Sequence, residues 1–521
     1  MGSLLRFSRI AVAVVVFALF VMLFTDFGMS IPTVAVWLVH IQFLPAAMAF
    51  SLTTFVLWLI ITLVFGRIYC STACPLGIFQ DICARLPRLG RVGPKWQYHY
   101  SEPFTRLRMV TLFIVVLSII LGISALSTLL DPYSIFGRFG LYVLRLLWAF
   151  VLNLWSKIDS APQIRFAVAS ITGMVISFVT MVIIGAIAMR NGRTFCNTVC
   201  PVGTTLSFIS RYSIFRIDIN TDKCIQCRRC EHRCKSSCID LVSHVVDTSR
   251  CVVCFDCLTD CPNDAISYTY NRHQLSIPLF QKVKGTVAGP AAGISTGRLD
   301  VSSSDDSASA RTVGEDSRRP LDRRRFLTLG AVVAAVPAIA KAAQVADKID
   351  TLEEPRNHRG LLPVTPPGTR SRREFLDRCT ACGLCVDRCP QKVLQVSLKE
   401  YGLLRALHPV MNYDLSWCIY NCTLCSNLCP TGALHPLAVA EKHRSRIGLA
   451  CADRDYCISY GKGVKCGACS RRCPAGAITM VSDDGGKGPY PVVDSRKCIG
   501  CGACQYVCPA KPKAIKVGGI A

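Results

Sequence analysis

Acidic side chains are scarce in this chain. It carries 34 aspartates and glutamates against 59 lysines and arginines, a formal net charge of +25 over 521 residues. A basic surplus suits nucleic-acid binding, but no recognition motif accompanies it, and a nucleic-acid partner is set aside. Cys-x-x-Cys-His is absent, which excludes covalent attachment of c-type haem. No molybdopterin or other catalytic-domain signature is present, so terminal substrate chemistry falls to a partner. Apolar residues and cysteine are in excess. Hydrophobic residues make up 51% and mean hydropathy is +0.37, too high for a wholly soluble protein. The 31 cysteines are grouped rather than scattered, which argues against a disulfide framework.

Four apolar runs open the chain: Ile10 to Met29, Ala46 to Phe65, Met109 to Leu130 and Phe166 to Met189. Each is close to the ~20 residues that cross a ~30 Å hydrocarbon core. Arg6 and Arg9 precede the first run. Arg67, Arg85, Arg88, Arg91 and Lys95 follow the second, Arg106 and Arg108 precede the third, and Arg190, Arg193, Arg211 and Arg216 follow the fourth. Basic loops stay inside, so the N-terminus, residues 66–108 and residues beyond 190 are expected in the cytoplasm. Leu141 to Trp155, interrupted by Arg145, reads as a helix lying in the outer interface, where Trp148 and Trp155 are favoured. Ile31 to Leu44 reads as a similar piece. Its His40 is a candidate quinone contact or simply a solvated histidine.

A motif repeats at the ends of the second and fourth runs. Gly66-Arg67-Ile68-Tyr69-Cys70-x3-Cys74-Pro75-Leu76-Gly77 recurs as Gly192-Arg193-Thr194-Phe195-Cys196-x3-Cys200-Pro201-Val202-Gly203. A Cys-x3-Cys on a helical turn places both sulfurs on one face. Duplication brings Cys70, Cys74, Cys196 and Cys200 together as a possible additional redox or metal site. The alternative is a thiol or disulfide pair with a structural Pro-Gly turn.

Cys224, Cys227, Cys230 and Cys234 follow, then Cys251, Cys254, Cys257 and Cys261-Pro262. In the two-cluster ferredoxin spacing, three close thiolates hold one 4Fe-4S cluster and the fourth reaches the other. Cys224, Cys227, Cys230 and Cys261 are therefore one expected set, and Cys251, Cys254, Cys257 and Cys234 the other. Lys235 stands where a proline is usual. Cys238 and Cys83 are left as spares.

Gly285 to Arg319 is polar and reads as a disordered linker. Asp322 to Ala343 follows, with three arginines, Phe326, Leu327 and about fifteen mostly apolar residues. Arg323-Arg324-x-Phe326-Leu327 resembles a twin-arginine export signal, which carries folded cargo. An ordinary membrane helix with basic flanks is the alternative, and either places residues after Ala343 outside. Ser371 to Leu376 is a second near-match without an apolar run. Four more runs come next: Cys379, Cys382, Cys385, Cys389; Cys418, Cys422, Cys425, Cys429; Cys457, Cys466, Cys469, Cys473; and Cys498, Cys501, Cys504, Cys508. Each ends in proline. Cys451 is an alternative to Cys457. The spacing leaves open whether runs pair as neighbours or nest. Ala477-Ile478 and Ala514-Ile515 read as short strands bracketing clusters. Six clusters at about −2 each would bring the net charge to roughly +13.

The first ~280 residues resemble the NapH type of membrane quinol dehydrogenase subunit, on the four runs, both Cys-x3-Cys-Pro motifs and the first ferredoxin spacing. Residues from about 322 resemble the NapG type, on the export signal and four cysteine runs, including the x3 gap and the long third gap. The resemblance implies an α-helical membrane bundle, four spans plus a fifth signal or anchor helix, with two α+β ferredoxin-like regions. The expected domains are 1–215 (membrane, with the repeat), 216–275 (cytoplasmic ferredoxin), 276–321 (linker), 322–345 (signal or anchor) and 346–521 (periplasmic ferredoxin). The implied function is quinol oxidation in a bacterial inner membrane, with electrons passed from the quinone pool to a periplasmic reductase or cytochrome of a nitrate reductase-like system. The alternative is an assembly or regulatory ferredoxin serving maturation of a periplasmic metalloenzyme. Clusters on both sides of a ~30 Å core leave one gap too wide for a single electron hop.

Overall fold

The structure, a computed structural model, describes residues 2–25, 33–49, 51–86, 97–122, 124–159, 171–270, 361–397, 399–402, 405–482 and 488–520. The Gly285–Arg319 linker and the Asp322–Ala343 stretch lie outside them.

Three helices are long and apolar enough to cross a membrane: Gly2–Thr25, Pro132–Trp155 and Gly173–Asn191. Leu52–Phe65 is apolar throughout but has 14 residues. The expected third span is not one helix. Thr105–Ile120 stops, Gly122 turns at φ 70°, and Ser124–Leu130 starts afresh. Leu141 to Trp155 differs from its expected place along the outer surface. It continues a longer helix, from Pro132–Phe139 through a π turn at Gly140–Leu144 into Arg145–Asp159. The reason is aromatic packing. Phe136 meets Phe17 at 5.5 Å between ring centres, and Phe139 meets Phe79 at 6.1 Å. Tyr142 is buried against Gly173. A helix lying flat in an interface would leave that face uncovered.

The two cysteine-rich regions are built from very short elements. Arg216–Ile219 pairs antiparallel with Ile266–Thr269, and Ile239–Asp240 with Val245–Val246. Beyond residue 361, Leu394–Val396 pairs with Pro409–Met411, Ile478–Val481 with Tyr490–Val493, and Gly448–Ala452 with Ile515–Gly519. Both strands expected at Ile478 and Ile515 are present. Ser371 caps Arg372–Arg378 by accepting from Glu374 N, so the second near-match is a helix start.

Each region docks on one end of the bundle. At the first end Arg6 pairs with Asp256 at 3.0 Å, and Ile214 N donates to the Leu63 carbonyl at 2.8 Å. At the other end Arg145 pairs with Asp387, Arg388 donates to the Leu23 carbonyl, and Ser124 Oγ lies 3.2 Å from His408 Nε2. The first helix measures the separation: at about 1.5 Å per residue, Arg9 and Leu23 stand about 21 Å apart along its axis. One buried core joins the ends. It contains Val252 from the first region, Cys70, Cys74, Cys200, Tyr69, Phe20 and Tyr133 from the bundle, and Cys382, Leu384 and Leu428 from the second region.

Candidate iron–sulfur centres and the cysteine repeat

Five small cavities are each lined by four cysteines. Cys224, Cys227, Cys230 and Cys261 line one near the first end. In the second region the sets are Cys379, Cys382, Cys385, Cys429; Cys389, Cys418, Cys422, Cys425; Cys473, Cys498, Cys501, Cys504; and Cys457, Cys466, Cys469, Cys508. Runs therefore pair as sequence neighbours, first with second and third with fourth. Cys457 lines its cavity, whereas Cys451 is exposed on a strand. A sixth grouping surrounds Cys257, which has Cys254, Cys251 and Cys234 near it, and Cys230 of the first set as well. Cys238 sits beside it, its Sγ 3.4 Å from Cys234 Sγ. Cys83 lies apart, 3.6 Å from where a Cβ on Gly185 would stand.

Local backbone explains why these sites face inward. In the regular runs the residues before and after the middle cysteine are left-handed: Gln226 and Arg228, Val253 and Phe255, Ala381 and Gly383, Gly500 and Gly502. Only some are glycine. A β-branched Val253 at φ 51° is strained, and such strain persists only where the surroundings over-determine it. Alternating right- and left-handed residues turn successive N–H groups into a concavity for a negative group. Four thiols converging on one cavity, with inward N–H groups, fit a 4Fe-4S cluster.

The repeat folds as a pseudo-two-fold pair. Pro75 and Pro201 each open a helix, Pro75–Cys83 and Pro201–Ser210, with Cys74 and Cys200 at the caps. Arg67 reaches across to the Cys196 carbonyl at 3.4 Å, and Arg193 reaches back to the Cys70 carbonyl at 2.5 Å. All four cysteines are buried. Gln80 Nε2 lies 3.3 Å from Cys196 Sγ. A hydrogen bond from Cys200, against burial and with help from Arg193 and Arg67, holds the Cys196 thiol below its ordinary value. Burial pushes Cys70 and Cys74 up. Among the described residues, no three His, Cys, Asp or Glu side chains are grouped as a single metal ion would need.

Reading by sequence alone missed the charges that lock this junction. Lys235 Nζ lies 2.8 Å from Asp256 and 3.4 Å from Asp81, and its carbonyl accepts from Arg193 N at 2.8 Å. Its position in place of proline was the available signal. Asp131, Tyr133 and Arg138 were missed too. All three are buried beside Cys382; the Tyr133 hydroxyl faces the Cys382 thiol, and Asp131 Oδ1 and Arg138 Nη1 have no hydrogen-bond partner among the described residues.

Known proteins agree with this geometry. Residues 378–433 and 462–511 match a family model described as a 4Fe-4S dicluster domain, and residues 47–92 and 168–220 match one described as a 4Fe-4S binding domain. The latter pair spans both copies of the repeat. The methylamine utilization ferredoxin-type protein MauM of Methylophilus methylotrophus is 30% identical over 207 residues, 38% of this chain and 84% of that protein. The ferredoxin-type protein NapG of Escherichia coli is 30% identical over 208 residues, 37% of this chain and 84% of that one. An uncharacterized protein of Methanocaldococcus jannaschii is 23% identical over 211 residues, 40% of this chain and 75% of that protein. Fold and cavities together define an iron–sulfur electron-transfer protein with helices able to span a membrane. The chain belongs to the ferredoxin-type proteins represented by MauM and NapG.

Proposed function

We propose that this chain is a membrane-bound quinol dehydrogenase that passes electrons to a periplasmic reductase. The N-terminus and first ferredoxin region are cytoplasmic, and the second region, exported by the Arg323 signal, is periplasmic. Its ligands are the twenty-four cysteines of the six sets above. A 4Fe-4S cluster in each set supplies one-electron acceptance and release.

The observation that carries this reading is the buried core running from Val252 through Tyr69, Cys70, Cys74 and Cys200 to Tyr133 and Cys382. Packed side chains along that core support a bridge in a two-sided relay. The repeat cysteines, with Arg67 and Arg193 beside them, occupy its middle. Asp131 and Tyr133 are the proton-holding groups at the Cys382 end, since a quinol surrenders two protons with its two electrons. A buried ionisable group within a membrane bundle is a functional candidate on energetic grounds alone.

The test uses anaerobically purified protein. Iron analysis should give about 24 irons per chain, four for each of six clusters. A soluble quinol should reduce the clusters, read by electron paramagnetic resonance. In Asp131→Asn the iron count should hold while quinol oxidation slows at least about a hundredfold, the low end of the range for removing one positioned proton acceptor. Iron near eight per chain, or full iron with no reduction by quinol, sinks the reading.

A further inference from the structure

The second run of the outer region departs from its neighbours in two ways. It carries one extra residue, giving Cys418-x3-Cys422. It also lacks the left-handed pair, for none of residues 418–425 has a positive φ. A cation stands there instead. Lys442, on the Val439–Arg444 helix, is 1% exposed. Its Nζ donates to Cys418 Sγ at 3.2 Å, to the Ile419 carbonyl at 2.7 Å and to the Cys422 carbonyl at 2.6 Å. An ammonium has three donors, and all three are used. The extra residue gives the loop the length to turn both carbonyls toward it. The next residue, His443, stacks on Tyr420 at 3.9 Å and reaches Asn421 Oδ1 at 3.0 Å, so one short helix grips the loop twice. Among the described residues no carboxylate is paired with Lys442. A buried charge without a counter-charge is strongly unfavourable. Here the negative group held by the thiolates is the counter-charge.

The geometry points to Lys442 as a potential-setting residue: its ammonium, bonded to the Cys418 sulfur, raises the reduction potential of the 4Fe-4S cluster in the Cys389, Cys418, Cys422 and Cys425 cavity. This rests on the reading that the cavity holds such a cluster. Reduction adds one negative charge, which a fixed cation in a poorly screened site stabilises. Hydrogen bonds to the sulfurs and local charge are recognised levers on cluster potential. The cavity stands second in the series leading from the bundle. Cys385 of the first cavity interacts with Cys425 of this one, and Cys418 N donates to the Cys501 carbonyl of the third at 2.9 Å. A potential well there leaves the first position oxidised between the two single-electron deliveries that a quinol makes.

Redox titration of the whole protein, followed by electron paramagnetic resonance, tests this on Lys442→Met, which keeps the stem and removes the charge. One species should titrate lower, its reduced-to-oxidised ratio at the original midpoint falling about tenfold, or ~59 mV for a one-electron couple. That species should be the one missing from Cys425→Ser. Lys442→Gln, with a neutral donor, should fall between. Full iron with every midpoint unmoved overturns the proposal. Loss of about four irons in both variants also overturns it, because Lys442 would then be a clamp on the loop. Iron near eight in the unaltered protein would sink the cluster reading and the proposal with it.

Discussion

Three cations converge on one carboxylate. Arg9 Nη1 and Arg193 Nε each stand 2.9 Å from Asp81, Lys235 Nζ stands 3.4 Å away, and all four side chains are buried. Burial by itself would raise the Asp81 carboxyl, but Arg193, Lys235 and Arg9 override it and hold the group well below the usual carboxylate range. A folded-state value below the unfolded one contributes stability that is complete above the ordinary Asp value of about 3.9 and lost as the pH falls below it. Asp81→Asn leaves buried Arg9 and Arg193 without their carboxylate, Lys235 keeping Asp256, and should cost about 3–5 kcal/mol near neutral pH. Denaturant melts in detergent measure it. The deficit should stay constant from about pH 8 to about pH 5. A deficit that shrinks across that interval would show the carboxyl is not held charged by these cations.

At the scale of elements, the repeat is held by close backbone approach. A Cβ on Gly77 would collide with the Cys70 carbonyl and stand 2.9 Å from Arg193 Nη1. A Cβ on Gly203 would collide with the Cys196 carbonyl and stand 2.8 Å from Arg67 Nη2. Backbone atoms cannot move aside cheaply, so Gly77→Ala and Gly203→Ala should each cost about 1–3 kcal/mol. Gly461 is the comparison: a Cβ there would stand an ordinary 3.8 Å from its nearest neighbour, the Asp455 carbonyl. It lies within Ile458–Lys462, so Gly461→Ala should be neutral or stabilising by up to about 1 kcal/mol. Thermal melts of the three variants decide it, and equal behaviour would refute the crossed-arch packing. The same arch motivates a second variant. Cys74→Ser with Cys200→Ser should keep the full iron content yet stop quinol-driven reduction of the outer clusters. Reduction at the native rate would make the repeat structural and assign the bridge to the aromatic core alone.

For the whole molecule, the arrangement to be tested is a bundle gripped at both ends. A reporter fused after Ala521 should be active only outside the cytoplasm, and one inserted at Ser303 only inside. The same side for both would rule out a crossing at the Arg323 stretch. Docking is testable separately. Arg145 binds both the Asp387 carboxylate and its carbonyl, the latter at 2.6 Å. Arg145→Ala leaves a buried carboxylate with less compensation and should loosen the outer region by about 3–5 kcal/mol. Proteolysis of membranes should then release that region faster than from the unaltered protein, while iron content holds. Unchanged release would mean that the apolar contacts around Cys382 and Leu384 hold the interface without the ion pair.

The sequence by itself determined what is covalently local. A Cys-x2-Cys-x2-Cys run bends around one cavity because its thiols are a few bonds apart, and proline after Cys74 and Cys200 starts a helix wherever the motif sits. The cysteine sets and the doubled Cys-x3-Cys-Pro were legible for that reason, as were the strands at Ile478 and Ile515. Tertiary structure decided whatever depends on partners far along the chain. Neighbour pairing of the outer runs follows from which strands meet, and spacing is the same for either arrangement. Leu141 to Trp155 reads as an interfacial helix until the structure joins it to Pro132–Phe139, whose Phe136 and Phe139 pack on Phe17 and Phe79, and buries Tyr142 against Gly173. Lys235 and Lys442 look like two among many basic residues. Only packing removes them from water and sets each against a cysteine site, where a lysine otherwise expected to be solvated becomes a fixed charge.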